Sequence, residues 1–285
     1  MARKVTTVRG PQTITEIDLT NTTGAPAANS LVRVDKALSE INQRLYRQHM
    51  TYYGEVTLQT DNVQGLVEVY TLATNWWNLG ALRMAKRMHD RAMKEERGAA
   101  GQSRWYDFRI GGVPGVTDVL SPAGLDGTGN RVAVDLGPAG TSEYEISVVE
   151  DSAGNAKTFQ LFSASSASAY NVFTEWDRMG NIDDQPTTPT GGGYDEIVDD
   201  IQQENQNNLL SKGNQPPYNG DTMNIRWVKV GELYQTAGGA QSLTTGLFAA
   251  PLGLVYLKNY NTTQGDNVRL HVAPGDYKGV MASAI

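Results

Sequence analysis

The sequence predicts an all-β protein built from two tandem β-sandwiches, and three observations carry that expectation. Apolar and polar residues alternate in short runs, 30 glycines and 11 prolines punctuate them, and few stretches could sustain a long helix. At 285 residues the chain also has room for two units of ~140 residues each. With 39% hydrophobic and 19% charged residues it reads as a folded chain.

Composition excludes several chemistries. Without cysteine there is no disulfide framework, thiolate nucleophile or zinc–thiolate cluster. A net charge of -7 argues against a protein whose whole surface grips nucleic acid, although local basic patches stay open. The opening residues lack the apolar region of a signal peptide, and no segment approaches the roughly 20 apolar residues of a membrane helix. Neither signal-peptide secretion nor membrane insertion is expected.

Residues 1–30 mix Thr, Asn, Gly, Ala and Pro and read as an extended arm, with Arg3, Lys4 and Arg9 at its tip. From Tyr46 the pattern becomes periodic. Tyr46, Met50, Tyr52, Val56 and Leu58 share one parity while Arg47, His49, Thr51, Glu55, Thr57 and Gln59 take the other, as in a half-buried strand. A second strand is expected over Val67 to Leu72.

Leu79 to Arg97 is the clearest helix, with an apolar stripe of Ala81, Met84, Ala85, Met88 and Ala92. Arg83, Lys86, Arg87, Arg91, Lys94 and Arg97 fill the remainder, leaving the helix at about +3 against Asp90, Glu95 and Glu96. Strands are then expected at Ser103 to Ile110, Tyr144 to Glu150, Thr158 to Ser163 and Tyr170 to Trp176. A loop from Asp183 to Gly193 precedes a second amphipathic helix at Tyr194 to Leu210, and strands resume at Asn224 to Val230.

The order strand, Trp-bearing turn, helix, Arg-Trp strand therefore occurs twice, once around Arg104-Trp105 and once around Arg226-Trp227. This places an arm at 1–30, a first unit at 31–143 and a second at 144–285. Strands of this length must bury one face, and two facing sheets of a jelly roll do so economically. A final edge strand is expected at Val268 to Val272, followed by an apolar end from Val280 to Ile285.

Two segments, the helix Trp76-Trp77-Asn78-Leu79-Gly80-Ala81-Leu82-Arg83-Met84-Ala85-Lys86-Arg87-Met88-His89-Asp90 and the tail Leu247-Phe248-Ala249-Ala250-Pro251-Leu252-Gly253-Leu254-Val255-Tyr256-Leu257, carry a resemblance. In architecture, over nearly its whole length, the chain resembles the double jelly-roll major capsid proteins of tailless icosahedral bacteriophages, especially small single-stranded-DNA phages of the finnlakevirus type. The resemblance implies a homotrimer presenting six sandwiches in a ring that tiles an icosahedral shell. It also implies a virion protein made in the host cytoplasm. The partners would be copies of itself, minor capsid and spike proteins, and the genome or an internal membrane.

No catalytic constellation stands out. His49, His89 and His271 lack metal-ligand spacing, and Gly191-Gly192-Gly193 lacks the Lys-Ser/Thr of a phosphate loop. Calcium near Asp183, Asp184, Asp195 and Asp199 is the one minor cofactor alternative, since hard cations favour carboxylates on a flexible loop. The candidate contact residues, for nucleic acid or for another subunit, are Arg83, Lys86, Arg87, Arg91 and Lys94. The five tryptophans are read as packing. Rival expectations are a carbohydrate-binding or carbohydrate-cleaving sandwich, and an accessory virion spike.

Overall fold

The structure, a computed structural model, describes residues 10–18, 29–59, 65–100, 106–111, 131–132, 146–150, 154–161, 169–181, 227–236, 239, 241–260 and 267–285. Its first elements are strands β1 (Ile14–Asp18) and β2 (Asn29–Arg33), helix α1 (Val34–Asn42), strands β3 (Met50–Gln59) and β4 (Gly65–Leu72), and helix α2 (Trp76–Ala100). Short strands β5 (Arg131–Val132), β6 (Val148–Glu150), β7 (Ala156–Gln160) and β8 (Ala169–Asn171) lead to helix α3 (Val172–Asn181). The last third is β9 (Trp227–Gln235), β10 (Gln241–Ser242), β11 (Phe248–Pro251), β12 (Leu254–Asn259), β13 (Asn267–Val272), β14 (Pro274–Gly275), β15 (Gly279–Val280) and β16 (Ala282–Ala284).

Strands dominate, as the alternation in the sequence requires. One sheet runs β1-β13-β3-β11, with β16 also on β3, and the second runs β10-β9-β4-β12-β2-β5. Every pairing in them is antiparallel except β2 with β5. Between the sheets lie Val32, Tyr52, Val56, Leu58, Val67, Val69, Leu233, Val255, Leu257, Val268 and Leu270, all nearly free of solvent. The far face of the second sheet is buried as well, through Leu31, Leu72, Trp227, Leu254 and Tyr256 against Trp77, Ala81, Leu82 and Ala85 of α2 and Val172 and Phe173 of α3. The molecule is thus layered sheet, sheet, helix.

This pairing replaces the expected division at residue 143/144. β3 and β4, assigned to the first unit, hydrogen-bond to β9, β11, β12 and β13, assigned to the second. The strands of these two sheets therefore build one sandwich from both halves of the chain, while β6-β7-β8 and β14-β15 form two smaller sheets. The apparent repeat fails for a local reason too: Tyr170 to Trp176 is a strand only as far as Asn171 and then turns into α3. Val172, Phe173 and Trp176 share a helical face, and the Thr174 N–H donates to Asn171 Oδ1 at 3.3 Å as at a helix N-cap.

Other expectations shift. Part of the supposed arm is strand, since β1 pairs along β13 and Asn29 opens β2. The supposed edge strand β13 is interior, between β1 and β3. Of the apolar end, Val280 is buried but Met281 is 41% exposed. Residues 106–110 run without a named strand partner, and only Gly111 bridges to Gln160. The helix expected at 194–210 lies outside the described residues, as do Arg3, Lys4, Arg9, Arg104 and Trp105.

A bulge explains how β9 serves two cores. Val69 pairs Gly231 but Tyr70 pairs Lys229, so Val230 is an extra residue. The inserted residue reverses the alternation, and Leu233 faces the opposite sheet while Trp227 faces the helices. It also brings Lys229 to within 2.7 Å of Glu68.

Candidate interaction surface

Helix α2 starts at Trp76, three residues earlier than the sequence suggests, because Asn75 caps it: the Asn78 N–H donates to Asn75 Oδ1 at 2.7 Å. Gly80, which looks like a blemish at the helix start, has a packing role. A Cβ there would lie 2.8 Å from the Trp176 ring, so the missing side chain lets α3 close on α2. The buried face is Trp77, Ala81, Leu82, Ala85 and His89. That is rotated from the expected stripe: Met84 and Met88 are half-buried and Ala92 is exposed.

Opposite the buried face stands a ridge. At 3.6 residues per turn, Trp76, Arg83, Arg87 and Lys94 fall within about 20° of one line, Arg91 lies about 60° to one side, and Ala85 points the opposite way. Arg83, Arg87, Arg91 and Lys94 are exposed, and Trp76 is 52% exposed. The ridge is about 27 Å long from Trp76 to Lys94, with steps of about 6 Å between successive arginines. Lys86 behaves differently. It is half-buried and paired with Asp90 at 2.6 Å, so that flank is locally neutral. The structure therefore places four of the five candidate residues on one solvent-facing surface and ties the fifth into an ion pair.

Beside this flank sits buried His49. Burial lowers its pKa to about 4, and Lys86 and Arg83 lower it against the opposing pull of Asp90. The loop that carries it is held by Gln48, whose side-chain amide donates to Ile110 O at 2.9 Å and accepts from the Ile110 N–H at 2.8 Å. The Gln48 backbone N–H donates to Asp107 Oδ2 at 2.8 Å. Burial pushes the Asp107 carboxyl up to about 6; the Gln48 N–H opposes this, Asp35 adds to it, and Arg109 and Arg47 oppose it. Nearby, Arg33 and Asp35 form a two-pronged ion pair with both bonds at 3.0 Å, each side chain 1% exposed. These buried polar contacts lock the turn after α1 to the segment behind α2.

The outer face of the first sheet is polar. Tyr53, Glu55, Thr57 and Gln59 of β3 alternate with its buried residues, beside Arg269 and His271 of β13, and His271 Nδ1 lies 3.3 Å from Glu55. Tyr53 is the one aromatic of that set, so the aromatic platform on which a sugar ring would stack is not found among these described residues. Trp77 and Trp227 are buried, as packing residues should be, but Trp76 is not. Sequence reasoning missed it, although its seven-residue offset from Arg83 was the available signal.

Among the described residues, no group of three or more His, Cys, Asp or Glu is placed to hold a metal ion. The calcium alternative cannot be located, because Asp183, Asp184, Asp195 and Asp199 lie outside the described residues. No described helix is long and apolar enough to cross a membrane. Comparison with family models, curated proteins and solved structures returns no match to this chain.

Proposed function

We propose that this chain is a capsid subunit: a structural protein that associates with copies of itself to form a viral shell around a genome, with its sandwich a single jelly roll. One observation carries the reading. Leaving aside the short strands β5, β10 and β16, the sheet orders are β1-β13-β3-β11 and β2-β12-β4-β9. Apart from β4 and β9, which pair within the second sheet, successive strands alternate between the facing sheets, the winding expected of a jelly roll. Among the described residues, α2 and α3 cover one sheet, and the polar sheet, the ridge and the edges are the surfaces offered to other molecules.

Fold alone does not fix function, and jelly rolls host many activities. Self-assembly fits best because the described surface offers extended faces, and shells form when modest complementary contacts repeat over a closed lattice. With one sandwich per chain among the described residues, a trimer would present three rather than six, so the pseudo-hexameric ring is not part of the proposal. The reading needs no catalytic step and no cofactor. It places the protein in the virion, in contact with its own copies and with enclosed genome.

Sedimentation velocity and negative-stain microscopy of the full chain, with and without a calcium chelator, test it. Closed particles or large regular oligomers are expected, unchanged by the chelator. A monomer that stays monodisperse across protein concentration and salt would overturn the proposal.

A further inference from the structure

We infer that the outer ridge of α2 is a binding surface for single-stranded nucleic acid, on which Trp76 stacks a base while Arg83, Arg87, Arg91 and Lys94 hold phosphates. The inference rests on the shell reading only for the source of the strand, the enclosed genome; the surface itself is argued from its own geometry.

Charge is concentrated here against the trend of the molecule. The chain carries a net -7, yet the ridge presents four exposed cations in a row. Among the described residues these four enter no ion pair; on the same helix Asp90 is engaged by Lys86, and Glu95 and Glu96 follow Lys94 in the sequence. Three are arginines, whose planar guanidinium matches phosphate oxygens two at a time. A step of about 6 Å between them is close to two stacked nucleotides at about 3.4 Å each, so one strand can meet successive cations without leaving the ridge.

The position of Trp76 selects single strands. It stands half exposed in line with the cations, about 10 Å before Arg83 along the helix axis. A duplex held through its phosphates would leave that ring idle, whereas an unpaired base can stack on it. A protein partner fits less well, because the core of a protein interface is depleted of charge, whereas here four cations line up with a single exposed aromatic. Beyond Trp76 and half-buried Leu79 the ridge has no large apolar side chain. The opposite face is locked into the core through Trp77, Ala81, Leu82 and Ala85, so the ridge is rigid before any ligand arrives.

The test is fluorescence anisotropy of the full-length protein with a labelled oligothymidylate and with a duplex of equal length, at low and moderate salt. Oligothymidylate should bind more tightly than duplex, and affinity should fall steeply with salt. Trp76→Ala should weaken oligothymidylate binding about tenfold and leave duplex binding nearly unchanged. Arg87→Gln with Arg91→Gln should weaken both ligands and make the salt dependence shallower by about two counterions. All three positions are surface sites, and circular dichroism confirms that the variants fold. Equal affinity for duplex and single strand, or an unchanged affinity in Trp76→Ala, would overturn the inference. So would a double-arginine variant that loses self-association while keeping oligothymidylate binding, since the ridge would then be a contact between copies. A chain that binds oligothymidylate but never assembles sinks the shell reading and leaves this one standing. One that assembles without binding the strand does the reverse.

Discussion

Single residues in the buried polar cluster set how the protein responds to acid. His49 is held near 4 in the folded chain against an ordinary 6.5, so between those values the unfolded chain binds more protons and stability falls as pH drops. Asp107 is raised from 3.8 to about 6, so over that range the folded chain binds more protons and stability rises as pH drops. The two effects oppose each other across nearly one window. Asp107→Asn keeps an oxygen for the Gln48 N–H and removes the compensating effect. Urea unfolding at pH 7, 5.5 and 4.5 should show the variant losing stability more steeply than the parent below pH 6, and at pH 7 as stable or slightly more so. The Arg33–Asp35 pair gives a second expectation at this scale. Asp35→Ala strands a buried guanidinium and should cost about 3–5 kcal/mol, whereas Arg33→Met with Asp35→Ala should cost clearly less, because no buried charge remains unpaired. Such residues were not legible in the sequence: Arg33 and Asp35 look like ordinary surface charges until the fold buries them, and Asp107 until it is half-buried against Gln48.

Elements were legible where one period dominates and obscure where two readings compete. β3 is plain because its parity holds over the eight residues from Tyr52 to Gln59, and α2 because helix formers run on after Gly80. α3 was misread because Val172, Phe173 and Trp176 have strand-like composition, and β-branched and aromatic residues outweighed the helical spacing. α1 escaped notice because it is short and its buried stretch includes Asp35, Lys36 and Ser39, which composition assigns to the surface. The ridge on α2 was half legible: its cations were evident, but the direction they face depends on which side of the helix the second sheet takes. Gly80 links these elements, and Gly80→Val should push Trp176 away and destabilise the chain by about 1–3 kcal/mol, read as a lower denaturant midpoint with circular dichroism.

At the scale of the whole molecule, the sequence announces facing sheets but not which strands share them. Alternation specifies which side of a strand is buried and says nothing about its neighbour. That is why a tandem pair of units and one interleaved sandwich look alike in the sequence, and why an order of elements suggested a duplication that the pairing of β3 with β13 replaces. The consequence for function is direct: the one sandwich among the described residues, covered on one side by helices, has different surfaces for meeting its copies than two sandwiches in series. The absence of cysteine makes the pairing testable with a single engineered disulfide. Thr57 and Arg269 are register partners on β3 and β13, where cross-strand Cα atoms lie about 4.5–5.5 Å apart, within disulfide reach. In the double variant Thr57→Cys with Arg269→Cys, peptide mapping under oxidising conditions should find these two positions linked within one chain. Failure to link in folded protein would contradict the interleaved sandwich.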